Sequence, residues 1–241
     1  MNAFEVPFMF AMRRIVQFAC LTALLQAWGC MAATPRPGAS SSRPDDAMIE
    51  AFAGDVSMVF PGDDSPSAVL VSDRIFDGFQ AGPGRLVAVD GTVIYWGFKF
   101  QEGNLQSVAI RDSKGQPRLL AVVNNVVRVA DGDTTTIGTV EQYQAELKST
   151  GGGYLPGVSV FVRNANDLAT YLPYLKSWLQ ADLLGFNATC DKAAMTAACT
   201  LAARIVIPIR AYALVPKQAA PYALPVPVVA KANIPLESFV Q

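Results

Sequence analysis

The chain has 241 residues, 19 basic and 20 acidic side chains for a formal charge of −1, 51% hydrophobic and 16% charged positions, and no histidine. That length is enough for a sizeable core, and the near-neutral balance excludes the basic excess that draws proteins onto nucleic acid. The missing histidine excludes Ser-His-Asp and Cys-His catalysis, an imidazole general base and the ordinary catalytic zinc sites.

In chain order, the first feature is a secretory signal. Arg13 and Arg14 precede the apolar run from Ile15 to Ala27, and Ala27 and Gly29 put small residues before Cys30. This predicts a signal peptide over 1–29. Gly29 with Cys30 resembles the bacterial lipobox, although Ala27 stands where that motif usually has Leu. The resemblance implies a lipidated Cys30 and hence a lipid anchor; ordinary cleavage and secretion, or an uncleaved signal, are the alternatives. Once Cys20 has left with the signal, Cys30, Cys190 and Cys199 remain. A lipidated Cys30 and a Cys190–Cys199 disulfide account for all three in an oxidising compartment, here the periplasm or a membrane surface facing it. On one continuous helix nine residues would hold that pair about 13 Å apart, beyond the roughly 7 Å that a disulfide spans. The bridge therefore requires a helix break between the two cysteines.

Residues 30–48 have the proline- and serine-rich composition of a linker, and Asp45 and Asp46 supply a cap for a short helix through Ala53. From 56 to 133 the sequence reads as antiparallel sheet. Asp90-Gly91 joins two β-rich runs, Asp112 to Pro117 makes a longer turn, and Asn124-Asn125 suits a two-residue turn between valine pairs. A meander of about five or six strands follows, with Val69 to Val71 as an extra one.

The period then changes. Thr139 with Gln142 resembles a capping box for a helix ended by Gly151, and Val158 to Val162 alternate as a strand. Leu168, Leu172, Leu175, Leu179 and Leu183 recur at helical spacing, with Pro173 inside the run, and a further helix is expected around Lys192 to Arg204. The last strand runs from Ile205 to Val215, where Pro208 favours a sheet edge or bulge. These elements predict one α+β domain over 49–215, an antiparallel meander followed by helices packing on one face. Residues 216–241 carry five prolines and three charges. Such a tail is too apolar for a solvated linker; it either packs on its own domain or docks on a partner.

Searches for catalytic motifs are mostly negative. The chain contains no phosphate loop and no Gly-x-Ser-x-Gly elbow, and none of its lysines follows a serine at the Ser-x-x-Lys spacing. Carboxylates remain. Asp63, Asp64 and Asp77 are candidates for an acid pair in glycoside hydrolysis, which needs two carboxyls at a set separation. Asp131 and Asp133 could begin a calcium loop, but a polar turn explains them more simply, and no cofactor is expected. Strand alternation puts Ile94, Trp96, Phe98 and Phe100 on one face as core, leaving Tyr95 and Lys99 as an exposed contact point for sugar or protein. The expected function is a non-catalytic envelope binding or assembly protein that presents a sheet face or the 216–241 tail to a protein or glycan partner; the alternative is a histidine-independent carboxylate hydrolase acting on glycan or peptidoglycan.

Overall fold

The computed structural model describes residues 43–61, 67–150, 156–187 and 189–240. Its first element is helix α1 (Asp46–Ala53), capped by the Asp45 carboxylate on the Ala47 amide at 3.1 Å. Strands β1 (Ser57–Met58) and β2 (Val69–Leu70) pair with each other, and Val71 then begins helix α2 (Val71–Asp77) rather than continuing as strand. No side chain caps α2. Its position depends instead on close approach to the sheet: a Cβ on Gly78 would lie 2.1 Å from Ser107 Oγ, so only glycine lets the end of α2 sit this near.

The meander is β3 (Ala81–Val87), β4 (Val93–Lys99), β5 (Glu102–Arg111) and β6 (Pro117–Asn124), each antiparallel to the next. Gly91 takes φ 83° in the first turn, a conformation costly for any side chain with a Cβ. In the second, Asp112 accepts from the amides of Lys114 and Gln116 at 2.9 and 2.8 Å. Asn125 does adopt a positive φ of 56°, but no hairpin follows it. Val126 and Val127 leave the sheet, and a small hairpin follows, β7 (Ala130–Asp131) and β8 (Thr134–Thr135).

Helix α3 (Val140–Thr150) begins in the expected capping box: Thr139 Oγ1 accepts from the Gln142 amide, and Gln142 Oε1 accepts from the Thr139 amide, both at 3.2 Å. Strand β9 (Gly157–Val162) pairs antiparallel with β6. Helix α4 (Ala165–Leu183) is capped by Asn164 on the Asp167 amide and runs through Pro173 without interruption. A 3-10 turn (Ala193–Met195) leads into α5 (Thr196–Ala202). Strand β10 (Ile209–Ala213) joins β9 in parallel, and β11 (Tyr222–Leu224) closes that edge. The strand order is β11-β10-β9-β6-β5-β4-β3, an α+β arrangement with a mostly antiparallel sheet. Residues 205–208 are not strand, so Pro208 marks the entry to β10 and not a sheet edge.

Both faces of the sheet are covered. The helices after the meander form the larger core: Leu168, Leu175 and Trp178 of α4 pack with Met195 and Ala198 on Ile94, Trp96, Val108, Leu119 and Val160. Helices α1 and α2, which precede the meander, cover the other face through Phe52, Val71 and Ile75 against Tyr95, Ala109, Leu120 and Phe161. The stretch after β10 lies along its own domain. The Ala232 amide donates to the Pro173 carbonyl at 2.9 Å, Ser177 Oγ donates to the Ala232 carbonyl at 2.8 Å, and Phe239 is fully buried beside Trp96.

Candidate functional site

The sequence candidates are scattered. Tyr95 is buried at 5% exposure, not an exposed contact point, and its ring lies within cation–π reach of Arg85 and Arg111. Phe98 and Phe100, expected in the core, are 37% and 63% exposed; the β4–β5 register shifts at Phe98/Lys99 and β4 ends at Lys99, so Phe100 lies outside the strand whose alternation was to bury it. Lys99 is half-buried opposite Glu102. Asp77 ends α2 and accepts from Gln80 at 3.2 Å. Asp131 and Asp133 sit on the β7–β8 hairpin, across the sheet from α2, and Asp133 pairs with Lys192. Among the described residues no group of three or more acidic or cysteine side chains is placed to hold a metal ion. Cys30, Asp63 and Asp64 lie outside the described residues.

Cys190 and Cys199 form a disulfide with Cα atoms 5.8 Å apart. The required break is present, since helical structure starts at Ala193, beyond Cys190. The bridge ties the loop after α4 to α5.

Three polar or apolar arrangements stand out that the sequence reading did not find. The first is Asp182, in the last turn of α4 and fully buried. Gln106 Nε2 donates to one carboxylate oxygen at 2.7 Å; Arg128 donates to the other through Nε and Nη2 at 3.1 and 3.0 Å. Burial raises the Asp182 pKa above the usual carboxylate range, although Arg128 and Gln106 pull the other way. The Arg128 guanidinium also covers the Phe186 ring at 5.5 Å, and Phe186 stacks on Trp96. Phe186 holds φ 59°, a strained value for an aromatic residue that this packing maintains.

The second arrangement lies along the first half of α4, from Asp167 to Tyr174. The Tyr174 hydroxyl donates to Asp90 at 2.5 Å, and chiefly through that bond the Asp90 carboxyl is held below its usual range. Arg118 bridges Asp112 at 2.8 Å and Asp167 at 3.6 Å. Partial burial opposes ionisation of Asp112, but bonds from Gln116, Arg118 and Lys114 outweigh it and lower its pKa. Acids this well provided with donors stay ionised.

The third is an apolar groove of about 350 Å³ between α4 and residues 202–209. Leu179 and Leu183 form one wall, and Ile205, Val206, Ile207 and Ile209 the other. Val206 is 88% exposed at its mouth. Lys176 and Lys231 stand on the rim, Lys176 donating to the Val229 carbonyl at 2.7 Å and Lys231 to Gln180. The volume falls within the roughly 300–1,000 Å³ typical of small-molecule sites. Among the described residues no helix is long and apolar enough to cross a membrane. Comparisons with protein-family models, with curated proteins and with solved structures found no match.

Proposed function

We propose that this chain is an exported cell-envelope protein, lipid-anchored through Cys30 and facing the periplasm, that binds an envelope partner and performs no chemistry of its own. The observation that carries the binding role is the groove between α4 and residues 202–209, an open slot lined mainly by aliphatic side chains. The signal-like run before Cys30 and the Cys190–Cys199 bridge support export, since such bridges persist in oxidising compartments.

The carboxylates favour binding over hydrolysis. A glycoside hydrolase needs one acid kept protonated near its working pH and a second kept ionised, both touching substrate. Among the described carboxylates the raised pKa belongs to Asp182, which no substrate can reach, while Asp90 and Asp112, nearer the surface, are held ionised. Intact-mass measurement of the protein purified from its membrane fraction tests the reading. The expected result is diacylglycerol on Cys30 and a 2 Da gain on reduction of the Cys190–Cys199 bridge, about two hydrogens. An unprocessed N-terminus in a cytosolic fraction would overturn it.

A further inference from the structure

We infer that the α4 groove is a binding site for a single-chain anionic amphiphile, an acyl chain ending in a carboxylate. The inference rests on the binding reading above and gives the ligand its chemical class. The groove's walls are aliphatic, with Leu179 and Leu183 facing Ile205, Ile207 and Ile209, so they offer an acyl chain contact without burying a polar group unpaired. Its volume of about 350 Å³ suits one chain and not the two of a bilayer lipid.

The rim supplies the sign of the head group. Lys176 and Lys231 are the charged residues lining the groove, and no carboxylate is within ion-pair distance of either among the described residues. Their neighbours are neutral oxygens, the Val229 carbonyl and the Gln180 side chain. An ammonium carries three donors, so each lysine can keep that bond and still donate to a bound anion. Two uncompensated cations at the mouth of an apolar slot select a negative head group and disfavour a positive one. Both lysines belong to elements pinned together: Lys176 is on α4, and Lys231 is on the strap that Ser177 and Pro173 hold against it.

The test is a calorimetric titration of the full chain with dodecanoate below its micelle concentration, with dodecanol as the neutral control and with phosphatidylglycerol vesicles as the bilayer source. Dodecanoate should bind at least tenfold more tightly than dodecanol and lose affinity as salt is raised. Lys231→Ala should weaken dodecanoate about tenfold, the loss of one charge-assisted bond. Val206→Glu changes an exposed position and leaves the fold intact, which circular dichroism verifies; it should weaken dodecanoate by tenfold or more. Equal binding of dodecanol and dodecanoate would overturn the inference, as would vesicle binding that survives Val206→Glu. If neither amphiphile binds, the inference falls while the mass measurement still decides export. An unprocessed chain that binds dodecanoate loses the envelope reading and keeps the site.

Discussion

Helix α4 carries an aspartate near each end, and the two ends treat their acids in opposite ways. At the N-terminal end Asp167 sits in the first turn, where the helix dipole favours a negative charge, and shares Arg118 with Asp112. At the C-terminal end Asp182 lies fully buried where the dipole disfavours it, held among the described residues by Gln106 and a half-exposed Arg128. The difference lies in solvent. A carboxylate at the water boundary needs a few donors to stay ionised, whereas one inside must recover its whole hydration from fixed partners.

The sharpest test removes the partner of the buried acid. Arg128→Ala should cost about 3 kcal/mol in urea unfolding at neutral pH, the low end for breaking a buried pair, because the guanidinium keeps 46% exposure. The loss should shrink as pH is lowered and Asp182 takes up a proton. Replacing Cys190 and Cys199 together by serine releases the loop after that same end of α4 and should cost about 2.5 to 3 kcal/mol, read from the shift in the melting midpoint. At the other end, Asn164→Ala removes the cap on the Asp167 amide, an expected loss of about 1 kcal/mol. Asp112→Asn should cost about 1 kcal/mol or less, since its turn amides and Arg118 lose a charged acceptor near the surface.

The two ends also predict opposite slopes with pH. The folded-state pKa of Asp182 is raised, so its contribution is present below the ordinary carboxylate pKa and is lost as pH rises through the folded-state value. Those of Asp90 and Asp112 are lowered, so their contribution is present above the ordinary value and is lost as pH falls through the folded-state values. Asp182→Asn should therefore flatten the decline that begins above the ordinary carboxylate pKa and leave the acid limb in place. A variant with the same decline as the parent would show that Asp182 is not its source.

Local signals explain which parts of this fold could be read in advance. The Asp90-Gly91 and Asp112–Pro117 turns, the Thr139–Gln142 capping box and the leucine spacing of α4 each involve residues within a few positions of one another. The extra strand expected at Val69–Val71 forms over Val69 and Leu70, but nothing local announces the helix that starts at Val71: α2 has no side-chain cap, and its place comes from burying Val71 and Ile75. The Asn125 conformation was legible but its consequence was not, since a positive φ can turn the chain out of a sheet as well as back into it. The Asp182 centre joins residues 76 and 54 positions apart, beyond any pattern search. The groove needed the strap's path over α4, which composition narrowed to two choices without deciding between them.

Phe239 has a consequence for how the molecule is made. Its ring closes the core beside Trp96, a strand residue laid down 143 positions earlier by number, and β10 and β11 likewise join the sheet after α4 and α5 have crossed it. Contacts so distant along the chain close last, because the entropy of a long loop must be lost before they form. The core cannot be completed until residue 239 has been synthesised.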